Sequence, residues 1–235
     1  MRNIARLSDA RRIAVIGAGQ SAAEIFMDLH GRPNAPQVDL ITRARAIKPA
    51  DDSAFVNEIF NIEFVDHIYN RSPDERSEFL REFRHANYAC ADLELIGEIF
   101  KVFYEQKVKG ETRHCFLRRH EITAVDASGD RIQLSLHDGN ADRSSTSHYD
   151  AVVLATGYER QHHKTILEPL ATYLRDFAID RNYRLKSTDD FRPAVFLQGA
   201  CEATHGLSDT LLSLTAVRTD EISDALLAAS QGTPP

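Results

Sequence analysis

The sequence has few cysteines and no long apolar segment. Its three cysteines, Cys90, Cys115 and Cys201, are odd in number, widely spaced and without a CxxC pair. This pattern argues against a disulfide framework and against a cysteine-rich metal site. No apolar run approaches the roughly 20 residues that a membrane-spanning helix needs, and the charged segment 1–12 lacks the apolar core of a signal peptide. We therefore expect a reduced, cytoplasmic protein with no membrane partner.

Acidic residues outnumber basic residues in this sequence. The 35 acidic residues exceed the 28 Lys and Arg residues and give a formal net charge of −7, which argues against nucleic acid as a partner. A local basic pocket for a phosphate is compatible with this balance. The length of 235 residues is enough for one large domain or two small ones.

A glycine-rich loop lies in the first 50 residues. The pattern around it predicts a strand, a helix and a second strand at 12–16, 20–30 and 37–42. Gly17, Gly19 and Ala22 have the GxGxxA spacing of a dinucleotide-binding fingerprint, in which the first glycine permits a tight turn and the second lets the backbone approach a pyrophosphate. The small third residue lets the helix pack closely on the strand. The alternative is a glycine turn that binds no ligand.

The end of the second predicted strand indicates which nucleotide would bind. An NAD site usually has an acidic residue there for the ribose 2′-hydroxyl, whereas an arginine accommodates the 2′-phosphate of NADP. Arg43 follows the strand directly, and Asp39 lies inside it, too early for the ribose position. The sequence therefore favours NADPH, and the alternative for Arg43 is a solvent-exposed surface arginine.

Further helices and strands are predicted downstream. Ser72, Pro73 and Glu75 form the start of a helix with a capping box, whereas the segment 43–71 is polar and predicted to be irregular. The other predicted helices lie at 92–109, 164–175 and 209–227, and the predicted strands at 114–126, 131–137, 149–154 and 194–198.

Two longer motifs make the prediction more specific. The loop sequence GAGQSAAE at 17–24 and the sequence DDSAFVNEIFN at 51–61 strongly resemble the flavin-dependent N-hydroxylating monooxygenases, and in particular the L-ornithine N5-monooxygenases and L-lysine N6-monooxygenases. Three further stretches agree in family order: Asn87-Tyr88, ATGY at 155–158 and HGLSDTLLS at 205–213. The matches run from about residue 12 to residue 218, nearly the whole chain.

The resemblance implies an enzyme that uses FAD, NADPH and O₂ to hydroxylate the side-chain amine of ornithine or lysine, in the biosynthesis of hydroxamate siderophores. The sequence FVNEIFN favours ornithine as the substrate, and lysine and diamines remain alternative substrates. The implied fold is α/β, with a Rossmann-like, three-layer NADPH-binding domain at 1–150. The segment 151–235 would then be the C-terminal part of a second, FAD-type dinucleotide-binding domain.

The resemblance also implies roles for particular residues. The expected cofactor-binding residues are Gly17, Gly19, Gln20, Ser21, Ala22, Arg43, Thr156, Gly157, Tyr158 and Leu207. The expected substrate-binding residues are Asn57, Asn87 and Ser208. Asn87, implied to contact both the substrate and the nicotinamide ribose, is the candidate catalytic residue, and no metal ligand is expected. From the residues alone, the alternative for the two asparagines is a turn or capping role.

Two features depart from the family pattern. Ile62 stands where the family often has proline. A second glycine-rich unit, which would bind FAD, needs about 30 residues, and none fits before Arg11. We therefore expect either that the FAD half is supplied by a further segment or polypeptide, or that the chain is a non-catalytic NADP-binding remnant. A homo-oligomer is also possible.

Two smaller expectations concern reactive side chains. His205, Ser208 and Asp209 could suggest a hydrolase, but the sequence contains no GxSxG elbow. Cys90 and Cys201 have apolar neighbours and are expected to be buried rather than reactive.

Overall fold

The computed structural model describes residue 7 and residues 9–230. Most of the segment 1–12, to which the signal-peptide prediction applies, lies outside this part. The described residues form two compact units. The first contains the residues up to Asp51 together with Asn87–Gly157, and the second contains Asp52–Ala86 together with the residues from Tyr158 onward.

The described residues form the following strands and helices. The strands are β1 (Arg12–Ile16), β2 (Gln37–Thr42), β3 (Lys48–Pro49), β4 (Cys90–Ala91), β5 (Cys115–Arg118), β6 (His120–Ser128), β7 (Arg131–Asp138), β8 (Arg143–Tyr149), β9 (Ala151–Leu154), β10 (Leu174–Ile179) and β11 (Leu185–Ser187). The helices are α1 (Gln20–His30), α2 (Ala54–Asn57), α3 (Glu63–Tyr69), α4 (Pro73–Glu82), α5 (Arg84–Asn87), α6 (Leu93–Lys109), α7 (His162–Ile166), α8 (Glu202–His205) and α9 (Thr215–Ser230). Each helix in this part of the chain is too short or too polar to cross a membrane.

The first unit is built around a parallel sheet. Its four strands pair in the order β5-β2-β1-β9, with Ile16 at the end of β1 opposite Ile41 in β2 and Leu154 in β9. The strands are short apolar runs because both faces of the sheet are covered, as is usual for parallel sheets. The connection β1-α1-β2 is the β-α-β unit that the sequence predicts.

Different layers cover the two faces of this sheet. On one face, α1 and α6 pack side chains such as Phe26 and Ile99 against Val15. On the other face, the antiparallel sheet β6-β7-β8 packs Leu134 against Ala14. This arrangement of helices, parallel sheet and antiparallel sheet confirms the predicted α/β fold class and its three-layer, Rossmann-like unit.

Asp39 lies in the middle of β2 and is only 1% exposed. Its carboxylate accepts hydrogen bonds from Nη2 of Arg12 at 2.7 Å and from the hydroxyl of Tyr149 at 2.9 Å. Burial, reinforced by the Asp39 charge, raises the pKa of Tyr149 well above its usual value, so the phenol stays a donor. Asp39 therefore joins β1, β2 and β8, and it does not occupy the ribose-binding position of an NAD site.

Two histidines join α1 to the start of β5. His114 is 3% exposed, and its Nδ1 accepts a hydrogen bond from the backbone N–H of Val38 at 3.0 Å. This acceptor role places the ring proton on Nε2, which lies 3.0 Å from Nδ1 of His30. Burial, with a smaller effect of the Arg113 charge, lowers the pKa of His114 to about 4. The imidazole is therefore neutral at neutral and mildly acidic pH.

We expect the stability of the first unit to fall as the pH is lowered from about 6.5 to about 4. Over this range the unfolded chain binds a proton at His114 and the folded chain does not, so the free energy of unfolding rises with pH. Each unit of difference between the two pKa values contributes about 1.4 kcal/mol, or about 3.5 kcal/mol for the full difference of about 2.5 units. About 2–3 kcal/mol of this is lost between pH 6.5 and pH 4, because each titration is only half complete at its own pKa. Urea unfolding across this pH range measures it.

His114→Asn is the matched control for this measurement. The asparagine Oδ1 can accept the hydrogen bond of Val38 in place of Nδ1, and it does not titrate. Its free energy of unfolding should depend less steeply on pH than that of the wild type. Parallel profiles for the two proteins would contradict the assignment to His114.

The second unit packs short helices around a small hairpin. Strands β10 and β11 pair in antiparallel fashion, and the buried core consists of Leu174, Tyr183, Leu185, Leu197 and Cys201. Burial raises the thiol pKa of Cys201 to about 12. Because Cys90 in the first unit is also buried, the prediction that these two cysteines are buried is confirmed.

Several predicted segments differ from the structure, and among them the helix predicted at 209–227 begins only at Thr215, after two 3-10 turns. The segment 43–71, predicted to be irregular, contains β3, α2 and α3. The helix predicted at 164–175 ends already at Ile166 and is followed by the 3-10 turn Glu168–Leu170, and residues 174–175 belong to β10. Residues 194–198, predicted as a strand, form only an isolated bridge between Phe196 and Arg184. The segment 194–198 is a short apolar run, and such runs have no periodicity that separates a helix from a strand.

The predicted domain division at residue 150 assigns one cofactor to each part of the chain. The structure divides the chain differently, since residues 52–86 group with the second unit. Which cofactor each unit binds stays a prediction.

Candidate functional site

The glycine-rich loop connects β1 to α1 at the carboxyl end of the parallel sheet. Gly17 has a φ of +149°, which L side chains rarely adopt, and its N–H donates to the carbonyl of Ile41 at 3.0 Å. A Cβ at Gly17 would lie 2.3 Å from the carbonyl oxygen of Ala155. Glycine is therefore required here because the end of β9 approaches the loop closely.

The beginning of α1 is suited to an anion. Gly19 is the N-cap residue and supplies no side-chain acceptor, while its carbonyl accepts hydrogen bonds from the N–H groups of Ala22 and Ala23 at 3.0 and 3.2 Å. The first turn contains no acidic residue. Ser21 is exposed and Ala22 is buried against the sheet. The first N–H groups and the helix dipole can therefore meet a phosphate.

The loop also lies at a topological switch point. The chain leaves β1 toward β2 on one side, and β9 pairs with β1 on the other. Ligands of open α/β sheets bind in the crevice that such a reversal creates at the carboxyl ends of the strands. Thr156 and Gly157 follow β9 at this edge, and both are exposed.

Gln20 ties the beginning of α1 to the beginning of α6. Its Nε2 donates to the carboxylate of Asp92 at 2.7 Å and to that of Glu24 at 3.0 Å. In return, the backbone N–H of Asp92 donates to Oε1 of Gln20 at 2.8 Å. The sequence gives no sign of this contact, because Gln20 and Asp92 are 72 residues apart.

Arginines line the edge of the sheet beyond β2. Arg43 is exposed directly after β2, where a hydrogen bond from Ala44 N–H to Thr42 Oγ1 at 3.0 Å shapes the turn. Arg118 ends β5 opposite Thr42 in the sheet register, and its guanidinium lies 5.6 Å from the ring centroid of Phe116. The sequence pattern does not indicate Arg118, which falls inside a predicted strand.

The second unit contains the other predicted site residues. Asn57 ends α2, is exposed and donates from Nδ2 to the carbonyl of Asp52 at 2.9 Å. Leu207 and Ser208 are buried in the 3-10 turn Leu207–Thr210. This turn contacts the turn Glu58–Phe60, which directly follows Asn57. The structure thus brings the segments of Asn57 and Ser208 together within this unit.

The predicted site residues are divided between the two units. The first unit contains Gly17, Gly19, Gln20, Ser21, Ala22, Arg43, Asn87, Thr156 and Gly157, and the second contains Asn57, Tyr158, Leu207 and Ser208. Asn87 is partly buried at the end of α5, and Tyr158 is 93% exposed.

Comparison with known proteins identifies the family. The model of the L-lysine 6-monooxygenase/L-ornithine 5-monooxygenase family matches residues 1–160. The chain belongs to this family. The L-ornithine N(5)-monooxygenase of Pseudomonas aeruginosa is 50% identical over 215 residues, which are 92% of this chain and 48% of that protein. The resemblance predicted from the motifs is confirmed.

Two solved structures of ornithine hydroxylases are similar to this chain. PvdA from Pseudomonas aeruginosa has a TM-score of 0.90 and 46% sequence identity, and the match covers 96% of this chain and 54% of that one. KtzI from Kutzneria sp. 744, in complex with reduced FAD, NADP⁺ and L-ornithine, has a TM-score of 0.86 and 32% identity, covering 94% and 55%. The chain therefore spans about half the length of these members of the monooxygenase family.

The contacts of His205 argue against the hydrolase alternative. Its Nε2 lies 3.0 Å from the carbonyl of Arg181, its Nδ1 lies 2.8 Å from the hydroxyl of Thr204, and its ring stacks on Tyr183. Burial lowers the pKa of His205. Both ring nitrogens thus hold the fold of the second unit, and neither serves as a base for Ser208.

Proposed function

We propose that this chain is part of an NADPH- and FAD-dependent monooxygenase that hydroxylates the side-chain amine of L-ornithine for hydroxamate siderophores. L-Lysine is the alternative substrate within the same family. The observation that carries the proposal is the phosphate-binding loop at the switch point of a chain with 50% identity to an L-ornithine N(5)-monooxygenase.

The residues of the first unit fit NADPH. The uncapped N-terminus of α1 would meet the pyrophosphate, because its first N–H groups and its dipole favour an anion. Arg43 would bind the ribose 2′-phosphate through two parallel N–H donors. Gln20 is engaged with Asp92 and Glu24, so in this arrangement it positions the loop, and the backbone N–H groups are the donors for the phosphate.

FAD fits this chain only in part. Thr156, Gly157, Tyr158 and Leu207 match family positions at the cofactor, and Leu207 is buried beside Ser208. The chain spans about half the length of its relatives. We therefore assign the remaining flavin contacts to residues outside this sequence. When bound, FAD supplies the oxygen-activating chemistry, with NADPH as the reductant.

Neutral side chains are suited to hold the amino-acid substrate. Asn57 offers a donor and an acceptor for the α-ammonium and α-carboxylate groups, and Ser208 adds a hydroxyl. Asn87 would contact the substrate and the nicotinamide ribose. The reacting amine must be unprotonated, and a buried position for it would favour the neutral form.

Purification of the full chain provides the first test. A yellow protein that oxidises NADPH faster when ornithine is added, and forms a hydroxylamine product, would support the monooxygenase proposal. A colourless protein that binds NADPH but never takes up added FAD would refute it for this chain alone. That outcome would support the alternative of a non-catalytic NADP-binding remnant.

Arg43→Ala tests the assignment of the nucleotide. We expect the affinity for NADPH to fall by about 1.5–3 kcal/mol, because a charge-assisted hydrogen bond to the 2′-phosphate is lost. The affinity for NADH should not change. Isothermal titration with both nucleotides measures the difference. Arg113→Ala is the matched control, since Arg113 is exposed near the opposite end of β5. An equal loss for NADPH and NADH would refute the assignment.

A further inference from the structure

Arg118 lies on the same face of the parallel sheet as α1. It comes two residues after Phe116 in β5, and alternate residues of a strand point to the same side of a sheet. Phe116 packs against the cluster that contains Phe26 of α1, and the Arg118 guanidinium lies over the Phe116 ring. Arg118 is also the last residue of β5. Its side chain therefore belongs to the carboxyl end of the sheet, on the side that α1 covers.

Backbone pairing holds Arg118 next to Arg43. Arg118 pairs with Thr42 in the register of β5 and β2, and Arg43 directly follows Thr42. Neighbouring strands are about 4.8 Å apart, so the two arginines start from adjacent positions at the edge of the sheet. The N–H of Arg119 donates to the carbonyl of Ala44 at 3.1 Å, which joins the turns that follow β5 and β2.

Both guanidiniums are available to a ligand. Arg43 and Arg118 are exposed, and within the described residues neither guanidinium donates a hydrogen bond or forms an ion pair. Arg12 of the same unit, in contrast, is paired with Asp39. The chain carries a net charge of −7, so two unpaired arginines side by side are a local exception. An anion bound between them would relieve the repulsion of their like charges.

The position of β5 in the sheet indicates which anion this is. The phosphate-binding N-terminus of α1 follows β1, and β2 and then β5 lie beside β1 in the strand order. A dinucleotide bound at this loop places the 2′ position of its adenosine ribose near the end of β2. The end of β5 is the next position along the same edge. A phosphate monoester carries a charge of about −1.5 to −2 at pH 7, and two guanidiniums balance this charge better than one.

We propose that Arg118 is a second arginine for the 2′-phosphate of NADPH and that it selects NADPH over NADH together with Arg43. This inference rests on the proposed function, and in particular on the use of NADPH by the first unit. The two arginines come from different strands, so each can donate to its own phosphate oxygen. The contact with Phe116 restricts the Arg118 side chain before the ligand binds, and this reduces the entropy lost on binding.

Isothermal titration of the full chain with adenosine 2′,5′-bisphosphate and with AMP tests this role. The two probes differ only in the 2′-phosphate, and neither requires flavin. Arg118→Met removes the charge and keeps an apolar stem over Phe116, so the melting temperature should stay close to that of the wild type. Its affinity for the bisphosphate should fall at least about tenfold, because a charge-assisted hydrogen bond is lost. Its affinity for AMP should stay within about twofold of the wild-type value.

Three further variants are matched to this one. Arg113→Met removes an exposed arginine near the opposite end of β5, and it should bind both probes like the wild type. Arg118→Lys keeps the charge without the planar fork, and it should recover part of the affinity for the bisphosphate. The double variant of Arg43→Ala and Arg118→Met should bind the two probes equally, because no arginine for the 2′-phosphate is left.

Each of three results would overturn the inference. If Arg118→Met binds the bisphosphate like the wild type, Arg118 does not hold the 2′-phosphate, and the proposed function stands without it. An equal loss of affinity for both probes would place Arg118 at the adenine or the ribose instead. A wild type that binds the bisphosphate no better than AMP would refute the use of NADPH, and the proposed function would fail together with this inference.

Discussion

Asp209→Ala is expected to lower the free energy of unfolding of the second unit by about 3–5 kcal/mol, because it leaves a buried guanidinium without its counter-charge. The carboxylate of Asp209 is fully buried, 3.7 Å from Nη1 of Arg218, whose side chain is 5% exposed. The same carboxylate accepts a hydrogen bond from the backbone N–H of Cys201 at 2.7 Å. Urea unfolding followed by circular dichroism measures the loss.

Two further variants separate the charge from the hydrogen bond. Asp209→Asn keeps an acceptor for Cys201 and removes the charge, so it should cost less than Asp209→Ala. Arg218→Met combined with Asp209→Ala should cost less than the two single changes added together, because neither charge is then left alone. Additive losses in the double variant would contradict this account. So would a cost below about 1 kcal/mol for Asp209→Ala, which is the size expected for an exposed ion pair.

Gly17→Ala should have the largest effect on nucleotide binding. The new Cβ would overlap the carbonyl oxygen of Ala155, which lies 2.3 Å from its position. Overpacking and an unfavourable φ each cost about 1–3 kcal/mol, so we expect a loss of about 2–6 kcal/mol in the free energy of unfolding. Relief of the overlap must move the loop away from β9, and NADPH affinity should fall by at least about 100-fold, or 2.7 kcal/mol.

Gly110→Ala is the control for the backbone strain that alanine causes at a positive φ. Gly110 has a φ of +69° at the end of α6, and a Cβ there would meet none of the described atoms within 4 Å. Its replacement therefore introduces backbone strain without overlap, and NADPH affinity should be retained. If Gly17→Ala binds NADPH as tightly as Gly110→Ala does, the close approach of β9 does not shape the nucleotide site.

The β-α-β unit and its loop could be predicted from the sequence because their signals are local. The apolar run of β1, the spacing of Gly17 and Gly19, and the position of Arg43 all lie within about 30 residues, the length of one such unit. The roles assigned to Asn57, Asn87 and Ser208 depend on the family resemblance, and they remain predictions.

Long-range contacts could not be predicted in this way. The overlap that requires Gly17 involves Ala155, directly after β9, and the partners of Gln20 include Asp92, directly before α6. Neither pairing follows from local periodicity or turn chemistry. The ion pair of Asp209 and Arg218 could not be predicted for another reason. In a sequence, two charged residues nine positions apart look like exposed surface, which is where such residues usually lie.

The position of β9 in the sheet has a consequence for synthesis on the ribosome. The strand that completes the other edge of β1 and closes on Gly17 is made only after β2 to β8 have been made. Chains emerge N-terminus first, and pairing across long loops is slow. The phosphate loop of a nascent chain therefore cannot take its final shape early, and this unit should become able to bind nucleotide only once β9 has left the exit tunnel.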